Sequence, residues 1–327
     1  MRLNVAVLTG GSSGELEISL QSAQQVYTHL DRKHYQPFLI IVRSRDWVCL
    51  IDGIEYPVDK TDFTLSLPDE KIVFDCIFLV IHGTPGEDGK LQGYFDLLGI
   101  PYTSCNSIVS GVTFSKYFSN HVAAQAGIAV PITYPLVVGE QLNHEYILSV
   151  TGLPCFVKPS KSGSSVGVSK VSVRNTLQAA LDFAFSYDDE VLVQEALNGR
   201  EITCGIMRYK NEVIIFPLCE IVSKREFFDY EAKYTPEMAE EIVPAMLTET
   251  LASKCRDISA KLYTHFRCKG VVRFDYILVG QTYYFLEVNT IPGLTQGSIV
   301  PRMASAKGLT MSELFGMLVE DAMFIPS

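Results

Sequence analysis

No run of apolar residues in this chain approaches the roughly 20 needed for a membrane-spanning helix, and no basic amphipathic segment offers itself to a membrane surface. Positive charge is not in excess either: 27 Lys and Arg stand against 37 Asp and Glu, a net charge of −10. That balance repels phosphate backbones and argues against general nucleic-acid binding. Paired cysteines are missing. Cys49, Cys76, Cys105, Cys155, Cys204, Cys219, Cys255 and Cys268 never approach CxxC spacing, and no Cys/His cluster suits zinc. They read as reduced thiols in packed positions of a cytoplasmic protein. The single tryptophan, Trp47, reads as a packing residue more readily than as a stacking platform. Internal repeats and low-complexity tracts are absent, and the opening MRLNVAVLTGG lacks the length and cleavage region of a signal peptide.

What is present is an ordinary globular composition. The 327 residues are 47% hydrophobic and 20% charged, which excludes disorder and is enough for two or three domains. LNVAVL (3–8) reads as a buried strand, followed by glycines and a helix whose packed face is Leu20, Ala23, Tyr27 and Leu30. Further strands are expected at 37–42 and 72–83, giving a parallel α/β layer over the first hundred residues. A helix is expected over 113–126, closed by Gly127. Then come strands in VPITYPLVV and LPCFVKPS, the latter joined through GSSVG to VSKVSV as a hairpin. Residues 191–206 read as strand, turn, strand, and 213–222 as one strand. The polar stretch 223–246 reads as a long functional loop, 247–266 and 310–323 as helices. GVVRFDYILVGQTYYFLEVN alternates on both sides of Gly280–Gln281, as an antiparallel hairpin does. Boundaries are expected near 104 and 192, dividing the chain into 1–104, 105–192 and 193–327.

Two familiar phosphate motifs fail. The nearest approach to a Walker A loop, Gly83 to Gly89-Lys90, is one residue too long and is followed by Leu91; Gly10, Gly11 and Gly14 do not make GxGxxG. The turn at 10–14 either receives an anion at a helix N-terminus or is only a tight turn. His82 ends a strand where ligands bind in open α/β sheets, or is a loop histidine without a task. Lys116 and Lys158, read alone, are surface lysines. Lys158, however, precedes KPSKSGSSVG, a loop rich in backbone and hydroxyl donors that suit phosphates.

The hairpin at 271–289 carries the strongest signal. With its turn centred on Gln281, Asp275 stands opposite Glu287 and Arg273 opposite Asn289, all on one face. Opposed carboxylates repel unless a cation lies between them, and Mg²⁺ takes oxygen ligands and shares them with phosphates. A merely solvated charged face fits poorly, because Val271, Val272, Phe274, Phe285 and Val288 beside it are apolar.

GGSSGELEIS, HGTPGEDGKLQG, VKPSKSGSSVG, YEAKY, VVRFDY and LEVNTIPGLTQGS follow one another here in the order found in D-alanine–D-alanine ligases. The chain resembles that family over its whole length. The resemblance implies a three-domain ATP-grasp fold of α/β class, with an N-terminal parallel α/β domain, a central domain and a C-terminal catalytic domain. It implies ATP-dependent joining of two D-alanines into D-alanyl-D-alanine for peptidoglycan, two Mg²⁺ ions (or Mn²⁺), and a homodimer.

By the same resemblance, Lys116 and Lys158 look like the lysines of the nucleotide phosphates. Glu201 looks like the ribose carboxylate, and Glu195 and Leu197 like the adenine contacts. Asp275, Glu287 and Asn289 match the metal ligands, with Glu287 bridging. Glu15 would receive the ammonium of the first D-alanine, with His82 nearby. Ser164 and Tyr234 would complete a hydrogen-bonded chain with Glu15, and Lys233 lies in the loop expected to close over the site. Ser298 would bind the second D-alanine's carboxylate, and Arg273 and the Gly293 N–H the oxyanion. Two departures stand out: Gln194 occupies a position where many members carry an acidic residue near the adenine amino group, and TFSKYF lacks the Asp expected before Lys116. The rivals are a related ligase with another acceptor and a catalytically silent nucleotide-binding regulator. The second would be expected to lose Glu15 or a metal carboxylate, and this sequence keeps them.

Overall fold

The computed structural model describes residues 2–11, 14–223 and 239–324. Its first sheet is built around β1 (Leu3–Gly10), flanked in parallel by β2 (Tyr35–Val42) and β7 (Cys76–Leu79). Only these three strands are parallel. From β2 the sheet continues antiparallel through β3 (Trp47–Ile51), β4 (Ile54–Asp59), β5 (Thr64–Ser66) and β6 (Lys71–Val73). The purely parallel layer expected from the sequence is therefore a mixed, seven-stranded sheet of order β6-β5-β4-β3-β2-β1-β7. Asp52 and Gly53, both at positive φ (49° and 80°), make the tight β3–β4 turn. The expected strand 72–83 is two strands. It breaks where Asp75 turns back on Asn4, with reciprocal bonds of 2.7 and 2.9 Å. Trp47 packs edge-on against Tyr94 and Phe63, at 5.4 and 6.1 Å between ring centres.

Helix α1 (Leu16–His29) covers β1, but with Ser19, Ser22, Ala23 and Val26 inward, while Leu20 is 40% exposed. Of the expected face Ala23 and Leu30 are buried, while Leu20 is turned outward and Ser19 and Ser22 pack inward, bonding to neighbouring loops as described below. After α2 (Lys90–Leu98), the helix expected at 113–126 is two: α3 (Ser107–Phe114) and α4 (Lys116–Gln125). Ser115 breaks them with extended backbone and caps α4 by accepting the Phe118 N–H at 3.3 Å. Lys116 is thus the first residue of a helix and lies beyond the break in the one expected at 113–126.

The second sheet is antiparallel, in the order β10-β9-β11-β8: β8 (Thr133–Val137), β9 (Cys155–Pro159), β10 (Ser169–Val171) and β11 (Glu190–Glu195). The helices α5 (His144–Thr151) and α6 (Leu177–Phe185) supply Ile147, Leu177 and Leu181 to its core. The expected β9–β10 hairpin is present.

The chain leaves this sheet at Glu195 and enters a third at Arg200, so the strand–turn–strand expected at 191–206 joins two sheets. The third sheet runs β15-β14-β12-β16-β17 with β13 also on β12: β12 (Arg200–Tyr209), β13 (Glu212–Ile215), β14 (Cys219–Ser223), β15 (Ala239–Ile242), β16 (Val271–Val279) and β17 (Thr282–Asn289). The expected strand 213–222 is interrupted at Phe216–Leu218, where Pro217 has no N–H to give a ladder. Within the expected loop 223–246, β15 forms a strand on β14, and 224–238 lie outside the described residues. Helices α7 (Glu249–Phe266), α8 (Ile299–Ala306) and α9 (Met311–Met323) complete the chain. None of the described helices is long and apolar enough to cross a membrane.

Candidate active site

The β16–β17 hairpin pairs Arg273 with Asn289 and Asp275 with Glu287, as the alternation implied. The turn alone would not give this register. Around Gly280–Gln281, Tyr276 pairs with Phe285, so an unbroken ladder would place Asp275 opposite Leu286. A bulge between Asp275 and Tyr276 leaves Leu286 without a partner and brings Glu287 opposite Asp275. The Leu286 carbonyl accepts Asn120 Nδ2 from α4 at 3.0 Å, which ties the bulge to the helix that carries Lys116.

Asp275 is 5% exposed and its two oxygens are heavily used. Arg273 donates through Nε and Nη2 at 2.8 and 2.7 Å, Thr203 through its hydroxyl at 2.6 Å, and Asn289 through Nδ2 at 3.0 Å. The carboxylate beside it raises the Arg273 pKa against the opposing effect of burial. Glu287 faces Lys116, Oε2 to Nζ, at 3.1 Å. Among the described residues no three His, Cys, Asp or Glu side chains gather into one metal cage. The oxygen donors here are two carboxylates and one amide.

Local structure explains why two lysines meet. The Lys116 N–H bonds to the Ser160 carbonyl at 3.0 Å and Ser115 Oγ lies 3.2 Å from Ser160 Oγ, so the start of α4 is fixed to the end of β9. Lys116 Nζ also donates to the Ser162 carbonyl at 2.5 Å. Lys158, on β9, donates to Gln194 Oε1 at 2.8 Å, and Gln194 Nε2 donates to Thr133 Oγ1 at 2.9 Å. Burial, followed by the neighbouring Lys116 charge, lowers Lys158 to a pKa of about 8, with Glu287 opposing.

Between the second and third sheets a pocket is lined by Lys116, Lys158, Glu195, Leu197, Glu201 and Glu287, with Ser164 and Arg273 on its wall. Glu195 accepts the Ile132 N–H at 2.7 Å. Arg200 and Glu220, which the sequence did not single out, also line it and form a two-bond ion pair, each bond 2.7 Å.

On the N-terminal side, Glu15 precedes α1 and accepts the Ser164 hydroxyl. Gly163 lies against it: a Cβ there would come 2.6 Å from Glu15 Oε2 and push that carboxylate aside. The α1 serines hold two loops: Ser19 accepts the buried His82 N–H at 3.0 Å, and Ser22 accepts the Leu294 N–H at 3.1 Å. Gly293 and Ser298 are adjacent, since a Cβ on Gly293 would meet Ser298 Oγ at 2.8 Å. Ser298 Oγ contacts Thr295 Oγ1 at 2.7 Å and accepts the Thr295 N–H at 3.1 Å. Lys233 and Tyr234 lie outside the described residues.

Glu87 was missed from the sequence, although HGTPGEDG contains it. It accepts the Gly83 N–H at 2.8 Å and also the Ile291 N–H, joining the loop after His82 to the segment after Asn289. Burial and then the Glu15 charge push it up to about 7.

Comparison with known proteins identifies the family of the chain. Residues 4–105 match the family model of the D-ala D-ala ligase N-terminus, and 122–320 that of the C-terminus. A D-alanine–D-alanine ligase of Phocaeicola vulgatus is 41% identical over 98% of this chain and 99% of its own. One of Flavobacterium johnsoniae is 42% identical over 97% and 98%. Among solved structures, the D-alanine–D-alanine ligase of Bacillus anthracis complexed with ATP superposes with a TM-score of 0.80 at 31% identity, covering 98% of this chain and 97% of that one. The VanG D-Ala:D-Ser ligase of Enterococcus faecalis gives 0.86 at 30%, covering 98% and 100%. With both halves matched and full-length relatives at this identity, the chain belongs to the D-alanine–D-alanine ligase family and has its ATP-grasp fold.

Proposed function

We infer that this chain uses ATP to join two D-alanine molecules, giving D-alanyl-D-alanine, ADP and phosphate for peptidoglycan synthesis. The observation that carries the site reading is the bulged hairpin. It brings Arg273, Asp275 and Glu287 onto the wall of one pocket with Lys116 and Lys158, sets Glu287 against Lys116, and pairs Asn289 with Arg273. A carboxylate is a poor acyl donor because its leaving group is oxide; transfer of the ATP γ-phosphoryl group makes phosphate the leaving group. The amine of the second D-alanine then attacks, and the tetrahedral intermediate expels phosphate.

The residue roles follow. Lys116 and Lys158 hold the ATP phosphates, Glu201 the ribose, and Glu195 and Leu197 the adenine. Glu15, held by Ser164, receives the first D-alanine's ammonium, with His82 beside it. Ser298 holds the carboxylate of the second. Arg273 and the Gly293 N–H stabilise the oxyanion, the kind of preorganised donor that contributes most to acyl transfer. Lys233 and Tyr234, outside the described residues, are assigned to the closing loop by sequence alone. Asp275, Glu287 and Asn289 would hold two Mg²⁺ ions, or Mn²⁺, since their hard oxygen donors suit such cations. Bound there, the ions would neutralise charge on the transferring phosphoryl oxygens. The three domains are taken as 1–104, 105–192 and 193–327, and the protein as a cytoplasmic homodimer without nucleic-acid or membrane partners.

Product chromatography tests the reading. D-alanine with ATP and Mg²⁺ should give one ADP per D-alanyl-D-alanine, and D-alanine should outcompete L-alanine, D-serine and D-lactate. Equal turnover with L-alanine would overturn the substrate assignment.

A further inference from the structure

Helix α8 begins at Ser298, the residue assigned above to the carboxylate of the second D-alanine. Two kinds of contact fix this helix. Ile299, Val300, Met303 and Ala304 are buried in a core that also takes Val5, Val7 and Phe78 from the first sheet and Met207 and Val271 from the third. The polar contact comes from Arg302, one turn on from Ser298. The Arg302 N–H donates to the Ser298 carbonyl at 3.2 Å, and residues four apart share one face of a helix.

The Arg302 guanidinium reaches out of the helix to β15. Its Nη1 donates to Glu241 Oε2 at 2.5 Å and its Nη2 to the Glu241 main-chain carbonyl at 2.7 Å. Glu241 stands opposite Ile221 of β14, and both line the nucleotide pocket together with Ile299. An exposed ion pair alone contributes little. Here the Arg302 and Glu241 side chains are 38% and 26% exposed, and the guanidinium grips a carboxylate and a backbone carbonyl at once. That use of its fixed fork of donors sets direction as well as distance. The clasp therefore joins one wall of the nucleotide pocket to the helix that starts at Ser298. The side chains assigned to ATP phosphates and to the first D-alanine stand on other elements: Lys116 on α4, Lys158 on β9, and Glu15 just before α1.

We propose that Arg302, clasping Glu241, is a positioning residue for the acceptor. It sets α8 against β15 so that Ser298 meets the carboxylate of the second D-alanine, and it acts through Ser298 without touching substrate. The proposal rests on the Ser298 assignment made above.

Steady-state kinetics of the full-length protein test it. ADP release at saturating ATP, followed as D-alanine is varied, gives one constant for each D-alanine site. Ser298→Ala identifies the acceptor constant as the one it raises. Arg302→Gln is made together with Glu241→Gln, so that no bare carboxylate is left on the pocket wall. This pair of changes should raise the acceptor constant about tenfold, the scale expected when a binding group loses its alignment. The constants for ATP and the first D-alanine should be little moved. Arg302→Lys, which keeps the charge, should recover part of the loss. If the double variant does not fold, Glu241→Gln alone, which leaves the bond to the main-chain carbonyl, should raise the same constant by a smaller factor.

An acceptor constant that stays at the wild-type value in these variants, while Ser298→Ala raises it, would overturn the proposal and leave the Ser298 assignment standing. Equal rises in all three constants would make the clasp a general structural tie, and would overturn it as well. If Ser298→Ala raises neither D-alanine constant, the assignment of Ser298 fails and the proposal falls with it.

Discussion

Replacing Gln194 with Glu would put a carboxylate where an amide oxygen now accepts the Lys158 ammonium at 2.8 Å. The present partner is neutral. Burial and Lys116 therefore bring Lys158 down from 10.5 to about 8, with only Glu287 pulling the other way. Burial favours the uncharged amine, so the positive charge is complete well below pH 8 and is lost as pH rises through it. Near pH 9 about one lysine in ten would keep its charge, and each further unit costs about tenfold. If Lys158 binds ATP phosphates, the wild-type KM for ATP should climb about tenfold per unit above pH 8. Restoring the ordinary lysine value needs about 3.4 kcal/mol, from 2.5 units at about 1.36 each. A carboxylate at this distance offers a gross attraction of about 6 kcal/mol at an effective dielectric near 20, before its own desolvation is subtracted. Gln194→Glu should thus hold the KM for ATP nearly flat to about pH 10. Steady-state ADP release at saturating D-alanine, measured across the alkaline range, reads this directly. A wild-type KM that stays flat through pH 10, or the same alkaline rise in both proteins, would refute the reasoning.

Glu287→Gln removes the partner of Lys116 and the proposed bridging ligand; turnover should fall by much more than tenfold, which is about 1.4 kcal/mol of barrier, with the melting midpoint little changed. Retained turnover within tenfold would argue against the role. Thr203→Val leaves the buried Asp275 without its 2.6 Å hydroxyl donor, and urea unfolding should show a loss of about 1–3 kcal/mol; no loss would mean that this bond is not stabilising. Gly270 sits at φ +63°, and a Cβ there would lie 2.1 Å from the Thr103 carbonyl. Gly270→Ala should lower the denaturant midpoint clearly, and an unchanged midpoint would contradict the close packing of 103–105 on 268–270.

The residues on the hairpin were legible because side-chain alternation in a strand is a local property, and Arg273, Asp275, Glu287 and Asn289 stand out against apolar neighbours. The bulge that makes the register work leaves no mark in the alternation pattern, since Leu286 is an ordinary strand residue. Strands β3 to β5 were missed although Asp52–Gly53 is a strong hairpin signal. The break at Ser115 was missed because TFSKYF keeps helical periodicity through a serine whose role is to cap. α1 was rotated in the reading because apolar residues were assumed to face inward. Beside Ala23 and Val26 the inward positions include Ser19 and Ser22, whose hydroxyls hold His82 and Leu294. Glu87 escaped notice because its partners are backbone N–H groups, Gly83 in its own loop and Ile291 far along the chain, and no side-chain pattern encodes that.

The central claim is that ATP phosphorylates the carboxylate of one D-alanine before the second attacks. D-alanine labelled with ¹⁸O in its carboxylate should therefore deliver one labelled oxygen to inorganic phosphate for each D-alanyl-D-alanine formed, read by mass spectrometry of the phosphate. Phosphate that carries no label while dipeptide accumulates would contradict the account.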